Sequence, residues 1–372
     1  MTDGRLLRTF LDLVRIDSPS RSESVVAAYC GSAFEARGFE VRFDDTMSST
    51  GADIGNLIAT RHGDSERTLV LSAHMDCVEP CRGVEPVVVD GVVSSAGQTV
   101  LGADDKAGIA AILEAVDRLD ESGAHTPALK IILTVCEELG LHGAKALDPA
   151  DAAGDLCLVL DADGEPGGIV IGAPTHYTFV ATFQGTASHA GVAPERGRSA
   201  LVMASRAIAA MQLGRLDENT TANIGTVEGG IATNVVAAFA RVTGECRSLL
   251  AERADEVRLL MDQAMREAAR TGDGQVDIAW TKEYEGFLRD SDDTLVVIVS
   301  DACREVGLQP RTFTTGGGSD GNVFSSDGTP TLVLSCGMRN VHSTDETVHL
   351  ADMDSIAALI VAVASRVADP SS

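Results

Sequence analysis

The chain has 372 residues, 44% of them hydrophobic, and sets 29 Lys and Arg against 55 Asp and Glu for a formal net charge of −26. That apolar fraction excludes a disordered chain, and that charge repels phosphate backbones and anionic bilayer surfaces, which excludes nucleic acid and membrane as partners. No run of roughly 18 apolar residues occurs, and the N-terminal stretch places acids inside an amphipathic pattern, unlike a secretory signal. The expectation is a cytoplasmic protein. Eight cysteines, at positions 30, 77, 81, 136, 157, 246, 303 and 336, fall mostly in apolar runs and read as buried reduced thiols. The close pair Cys77 and Cys81 has no second Cys or His pair at the spacing of a structural zinc site.

Helical spacing over residues 6–14 and 24–36 precedes short strand patterns at 38–43, 56–60 and 69–72. A helix over 105–122, a strand over 128–134, a helical piece near 143–147 and a strand over 156–160 continue the alternation. This predicts an α/β fold with a mostly parallel sheet and helices on both faces, whose ligands sit beyond the carboxyl ends of the strands. From residue 176 the texture changes. Strand patterns at 177–184, 222–228, 234–246 and 276–282 surround helical patterns at 199–213 and 250–271, which predicts an inserted α+β unit with its helices on one face. The helix 293–306, the glycine-rich loop 316–321, the strand 331–335 and the helix 352–367 return to the first texture. The expected domains are therefore 1–175 with 285–372, and an insertion over 176–284.

Chemistry-bearing residues gather at the predicted strand ends. His74-Met75-Asp76 follows the strand at 69–72, with imidazole and carboxylate two residues apart, so that the carboxylate is placed to orient the ring. Asp104-Asp105 opens the helix 105–122, Glu137-Glu138 follows the strand 128–134, and Asp161 and Asp163 follow the strand 156–160. Each acidic pair alone would also suit a helix cap or first turn. Four such ends on one rim would leave an uncompensated cluster of negative charge, which requires cations. Imidazole and carboxylate without thiolate suit Zn²⁺, Mn²⁺ or Co²⁺, and more than four ligands with one able to bridge suit a pair of metals. His342, after the strand 331–335, is a further candidate ligand.

These segments, from Ser72-Ala73-His74-Met75-Asp76 through Gly102-Ala103-Asp104-Asp105-Lys106-Ala107-Gly108 and Cys136-Glu137-Glu138-Leu139-Gly140 to Leu160-Asp161-Ala162-Asp163-Gly164, resemble in order and approximate spacing the M20 metallopeptidases of the peptidase T-like, tripeptide aminopeptidase-like branch. Gly316-Gly317-Gly318-Ser319-Asp320-Gly321-Asn322 and Gly337-Met338-Arg339-Asn340-Val341-His342-Ser343 complete the match, which covers nearly the whole chain. The resemblance implies a zinc-exopeptidase-like catalytic domain with an inserted ferredoxin-like lid and dimerisation domain. It implies that His74, Asp104 and Asp161 bind one metal and that Asp104 bridges to a second held by Glu138 and His342. Asp163 stands as the alternative to Asp161. Asp76 would orient His74, and Glu137 would be the general base.

Within the insertion, Gly185-Thr186-Ala187-Ser188-His189-Ala190-Gly191 resembles the family segment whose His reaches the partner subunit's active site, which implies that His189 stabilises the oxyanion and that the protein is a homodimer. Gly230-Ile231-Ala232-Thr233-Asn234 resembles the loop whose Asn contacts substrate, and the glycine-rich loop resembles the pocket lining, with Gly317 and Ser319 offered to a substrate carboxylate. His62, His125, His142, His176 and His349 match no ligand position and are expected to be solvated or packed. The implied activity is hydrolysis of short peptides by a water held between two divalent metals, Zn²⁺ first and Co²⁺ or Mn²⁺ as alternatives. A carboxypeptidase, an N-acyl amino-acid amidohydrolase and a non-catalytic metal-binding protein remain open.

Overall fold

The computed structural model describes residues 3–369. It divides into two compact units, one formed by the residues up to Ile171 with Arg289–Thr314 and those from Ser319 on, the other by Gly172–Leu288 with Thr315–Gly318.

The first unit is built on a large mixed sheet. Its nine strands among the described residues include β1 (Glu40–Phe43), β2 (Leu57–Arg61), β3 (Thr68–His74), β4 (Ala128–Thr134), β5 (Leu156–Ala162), β6 (Gly168–Ala173) and β7 (Thr331–Ser335), in the spatial order β1-β2-β4-β3-β5-β7-β6. The inner strands β4, β3, β5 and β7 run parallel, and β1, β2 and β6 add antiparallel edges. The sheet is thus parallel where the sequence has unbroken apolar runs such as Leu69-Val70-Leu71 and Leu156-Cys157-Leu158, which suit strands covered on both faces. Parallel alignment puts the carboxyl ends of β3, β4, β5 and β7 on one rim.

The helix Ala103–Ser122 packs on β3, β5 and the terminal helix Leu350–Ala368, burying Ile109, Ile112, Leu113 and Val116. Asp104 and Asp105 depart from helical geometry, so they are not ordinary first-turn residues. A small sheet joins Pro86–Val89 and Val92–Ser95 to a hairpin of Met338–Arg339 and Thr347–His349, and His342 sits in that hairpin's loop. Among the described residues no helix is long and apolar enough to cross a membrane, and all eight cysteines are free and buried.

The second unit is an α+β layer. Five antiparallel strands lie in the order Gly214–Asp217, Thr220–Gly229, Phe239–Ser248, Thr175–Gln184 and Gln275–Tyr284. The helices Ala200–Ala210 and Ala251–Thr271 cover it, with Met203, Met261 and Met265 packed in one cluster with Phe179, Phe183 and Val242. The strand expected over 234–246 begins only at Phe239, because the preceding residues bond instead to the His189 loop, through Ala190 N–H to the Asn234 carbonyl at 2.9 Å and Val236 N–H to the Ser188 carbonyl at 2.9 Å.

Candidate metal centre

His74 ends β3. Its Nδ1–H donates to the Asp76 carbonyl at 2.9 Å, and its Nε2 faces Asp104 Oδ1 at 3.0 Å and Asp161 Oδ1 at 3.5 Å. The other Asp104 oxygen, Oδ2, lies 3.2 Å from Nε2 of His342, which is also 3.0 Å from Glu138 Oε1. One carboxylate therefore stands between two imidazoles, presenting an oxygen to each.

A neutral His74 that donates from Nδ1 aims an Nε2 lone pair at two carboxylate oxygens. Such convergence of acceptors needs a proton or a cation to hold it. The candidate ligand atoms of His74, Asp104 and Asp161 lie within 4.8 Å of one another, as do those of Asp104, Glu138 and His342, and those of His74, Glu137 and Glu138. Two groups sharing Asp104, made of imidazole nitrogen and carboxylate oxygen, fit two divalent cations of the zinc, manganese or cobalt kind.

The titration behaviour reflects the same charge excess. Burial pulls His74 down, but its bonds to Asp104, Asp161 and Asp76 prevail and hold it well above the ordinary histidine value. Burial, opposed by His74, pushes Asp161 up to about 7. Bonds to Asp104 and Glu138 raise His342 to about 10. Glu137 is raised well above the carboxylate range by burial and then by the charge of Asp161.

The turn that carries Glu137 and Glu138 is held by side chains from elsewhere. Four consecutive backbone N–H groups are taken: Val135 by Asn56 Oδ1 at 3.0 Å, Cys136 by Glu23 Oε1 at 3.0 Å, Glu137 by Asp76 Oδ1 at 3.0 Å and Glu138 by Asp76 Oδ2 at 3.3 Å. Cys136 accordingly adopts φ +53°. The Asp76 carboxylate, which also accepts from Ser20 Oγ at 2.6 Å, is 3.4 Å from His74 Nδ1. The nearest partner of the His74 ring is thus the Asp76 carbonyl, and the carboxylate expected from sequence faces the same Nδ1 from 3.4 Å while also holding the Glu137 turn.

Asp163 is exposed and joins none of these groups, whereas Asp161 does. Asp105 is fully buried, with Oδ2 accepting from His74 N–H at 3.2 Å. Ser319 caps the helix Asp320–Ser326: its Oγ accepts from Gly321 N–H at 3.3 Å, and its own N–H donates to Asn322 Oδ1 at 3.1 Å. The Ser319 N–H, which the sequence offered to a substrate carboxylate, is engaged by the helix start, whereas its Oγ only accepts there, which leaves the O–H to donate. Gly317 is exposed, its N–H donating to Thr315 Oγ1 at 3.1 Å. In the second unit, His189 and Asn234 are both exposed and lie on adjoining loops, joined by a bridge between His189 and Val235. None of His62, His125, His142, His176 and His349 enters a group able to hold a metal among the described residues, and His176 pairs instead with Glu245 at 2.7 Å.

Sequence reasoning missed Asp320, Glu23, Asn56 and Glu346. Asp320 is 2% exposed, accepts from Thr134 Oγ1 at 2.5 Å, and is pushed up to about 6 by burial. It lies in the glycine-rich segment 316–322, where an acid at a helix start passes for a first-turn residue. Glu23, Asn56 and Glu346 act on backbone amides, which leave no residue pattern to read.

Residues 70–366 match the sequence profile of Peptidase family M20/M25/M40. A Bacillus subtilis (strain 168) protein, YqjE, is 40% identical over 369 residues, 99% of this chain and 100% of its own. The crystal structure of the aminopeptidase PepT of Bacillus cereus ATCC 10987 superposes with a TM-score of 0.94 at 39% identity, covering 99% of both chains. A tripeptidase of Staphylococcus aureus superposes at 0.95 with 36% identity over 98% of both. The chain belongs to Peptidase family M20/M25/M40. It is a hydrolase of peptide or amide bonds with residue groups suited to metal binding.

Proposed function

We propose that the protein is a dinuclear-metal exopeptidase that removes the N-terminal residue from short peptides, as a tripeptide aminopeptidase does. The observation that carries this reading is the Asp104 carboxylate set between His74 and His342, with Glu137 buried beside the same cluster. Similarity to the aminopeptidase of B. cereus and the tripeptidase of S. aureus supports the choice of substrate. His74, Asp104 and Asp161 would hold one cation, and Asp104, Glu138 and His342 the other, Zn²⁺ by donor type. Bound there, the cations polarise the scissile carbonyl and acidify water. Glu137 takes the proton of the attacking water and returns it to the leaving amine. Asp76 keeps Glu137 in place through its own backbone N–H, and Glu23 holds the N–H of the preceding Cys136. The acidic surface suits a cytoplasmic location.

The test is a chelated protein restored with Zn²⁺, Co²⁺ or Mn²⁺ and offered tripeptides, N-acetyl tripeptides, dipeptides and N-acyl amino acids. Chelation is expected to abolish turnover, and the restored protein to release the N-terminal residue of free tripeptides while leaving N-acetyl tripeptides intact. Preferential cleavage of N-acyl amino acids, or release from the C-terminus, would overturn the aminopeptidase reading.

We further propose that residues 176–284 form a lid and dimerisation domain and that His189 serves the active site of a partner subunit as oxyanion donor, with Asn234, on the adjoining loop, and Gly317 contacting substrate. An oxyanion donor contributes about 2.7–4 kcal/mol, so His189→Ala should lower kcat roughly 10²–10³-fold with metal content unchanged. Mixing inactive His189→Ala with inactive Glu137→Gln chains should restore activity, because one site of the heterodimer has both groups intact. No recovery after subunit exchange has been demonstrated by mass would remove His189 from this role.

A further inference from the structure

Glu346 is 1% exposed, and no part of the reaction described above uses it. Its carboxylate reaches across the chain to the start of the helix Ala103–Ser122, where Oε2 accepts from Gly102 N–H at 2.7 Å and Oε1 from Asp104 N–H at 2.9 Å. We propose that Glu346 is a positioning residue of the metal centre, fixing the backbone of Asp104 to the hairpin loop that carries His342 and so setting how Asp104 spans the two imidazoles. The proposal rests on the reading of Asp104 as a bridging ligand.

A carboxylate at a helix start has an ordinary explanation, since the first N–H groups of a helix lack partners and favour negative charge. A cap of that kind usually comes from the residue just before the helix. Here that residue is Gly102, at φ +73°, where a Cβ would come within 3.0 Å of Cys77 Sγ. A side chain there would be strained and crowded, so the acceptor is brought in from another loop, and it is the loop of a candidate ligand.

That loop is internally braced. Met338 and Arg339 pair with Val348 and Thr347, closing the residues between them. Inside it, Ser343 Oγ donates to the Asn340 carbonyl at 2.7 Å, Asp345 N–H donates to Ser343 Oγ at 3.2 Å, and Asn340 Nδ2 donates to the Asp345 carbonyl at 3.2 Å. Asn340 and His342 both hold positive φ, at +54° and +61°. The spacing between His342 and Glu346 is therefore fixed. The loop meets the Asp104 turn at two points, His342 Nε2 against the side chain and Glu346 against the backbone, so their relative position has little freedom. A site shared between two cations depends on such placement, since groups supporting ligands typically change metal affinity 10–100-fold.

Glu346→Gln replaces one accepting oxygen by an NH₂ that faces a backbone N–H. Glu346→Asp keeps the charge but is one methylene too short to reach both amides. Metal-free parent and variants would be titrated with Co²⁺, followed by calorimetry and by the visible absorption of the bound ion, with melting of the metal-free forms measured alongside. We expect Glu346→Gln to weaken Co²⁺ binding at least about tenfold, to change the visible spectrum, and to lower kcat more than it alters KM, with Glu346→Asp intermediate. Ile356→Ala, fully buried in the terminal helix, should lower the melting temperature while keeping the parent spectrum. If Glu346→Gln does not fold, Glu346→Asp carries the test. Parent-like Co²⁺ affinity and spectrum in the folded Glu346 variants would reduce Glu346 to a helix cap and overturn the proposal. Asp104→Ala separates the two ideas: parent-like Co²⁺ binding there overturns the bridging reading itself, whereas loss there with retention in the Glu346 variants overturns this inference alone.

Discussion

Glu137→Gln is expected to fold and bind metal as the parent does and to lose turnover by about 10³-fold or more, near the upper range for removal of a general base. Glutamine has the shape of glutamate but does not take up a proton in the working pH range. The backbone bond from Glu137 N–H to Asp76 Oδ1 at 3.0 Å is independent of the side chain, so the turn should stay in place. The side chain sits in a residue only 9% exposed, where bulk water cannot easily substitute as base. The measurement is kcat and KM for a free tripeptide, with metal content by elemental analysis on the same preparation. Unchanged kcat at full metal content would remove Glu137 from the reaction. Lost kcat accompanied by lost metal would make it a ligand, as its grouping with His74 and Glu138 permits.

His342→Ala should have a comparable effect by a different route. Its Nε2 meets Asp104 Oδ2 at 3.2 Å and Glu138 Oε1 at 3.0 Å, so removing it leaves two carboxylates facing each other with one fewer neutralising partner. Groups that only support ligands change metal affinity 10–100-fold, and loss of a ligand should exceed about 100-fold. The variant should retain about one cation per chain in place of two, with turnover near background. Because His342 has a side chain 53% exposed on a braced loop, the fold should tolerate alanine. Asp163→Ala, at an exposed position outside the cluster, is the matched control and should keep both cations. Two cations per chain in His342→Ala would exclude it as a ligand.

Much of the fold was legible because its signals are local. Unbroken apolar runs marked β3, β4, β5 and β7, and the change of periodicity after residue 176 marked a second texture. Small pieces were less legible. The short strands Pro86–Val89 and Val92–Ser95, and the two that frame His342, have too few residues to show a period. They matter nonetheless, since they bring the His342 loop toward the Asp104 turn.

The sequence by itself determined which side chains stand at strand ends. His74, Glu137, Glu138 and Asp161 follow apolar strands, and a parallel sheet must deliver such residues to one rim. Their chemical type, imidazole and carboxylate without thiolate, also lies in the sequence alone. Only the tertiary structure decided the rest. It set the Asp76 carbonyl against the His74 ring as well as the carboxylate, turned that carboxylate also to the Glu137 and Glu138 amides, and brought Glu23, Asn56 and Glu346 onto backbone N–H groups far along the chain. Hydrogen bonds to backbone amides are indifferent to the side chain of the residue they hold, so no pairing of residue types records them. They exist only once the chain has closed around them.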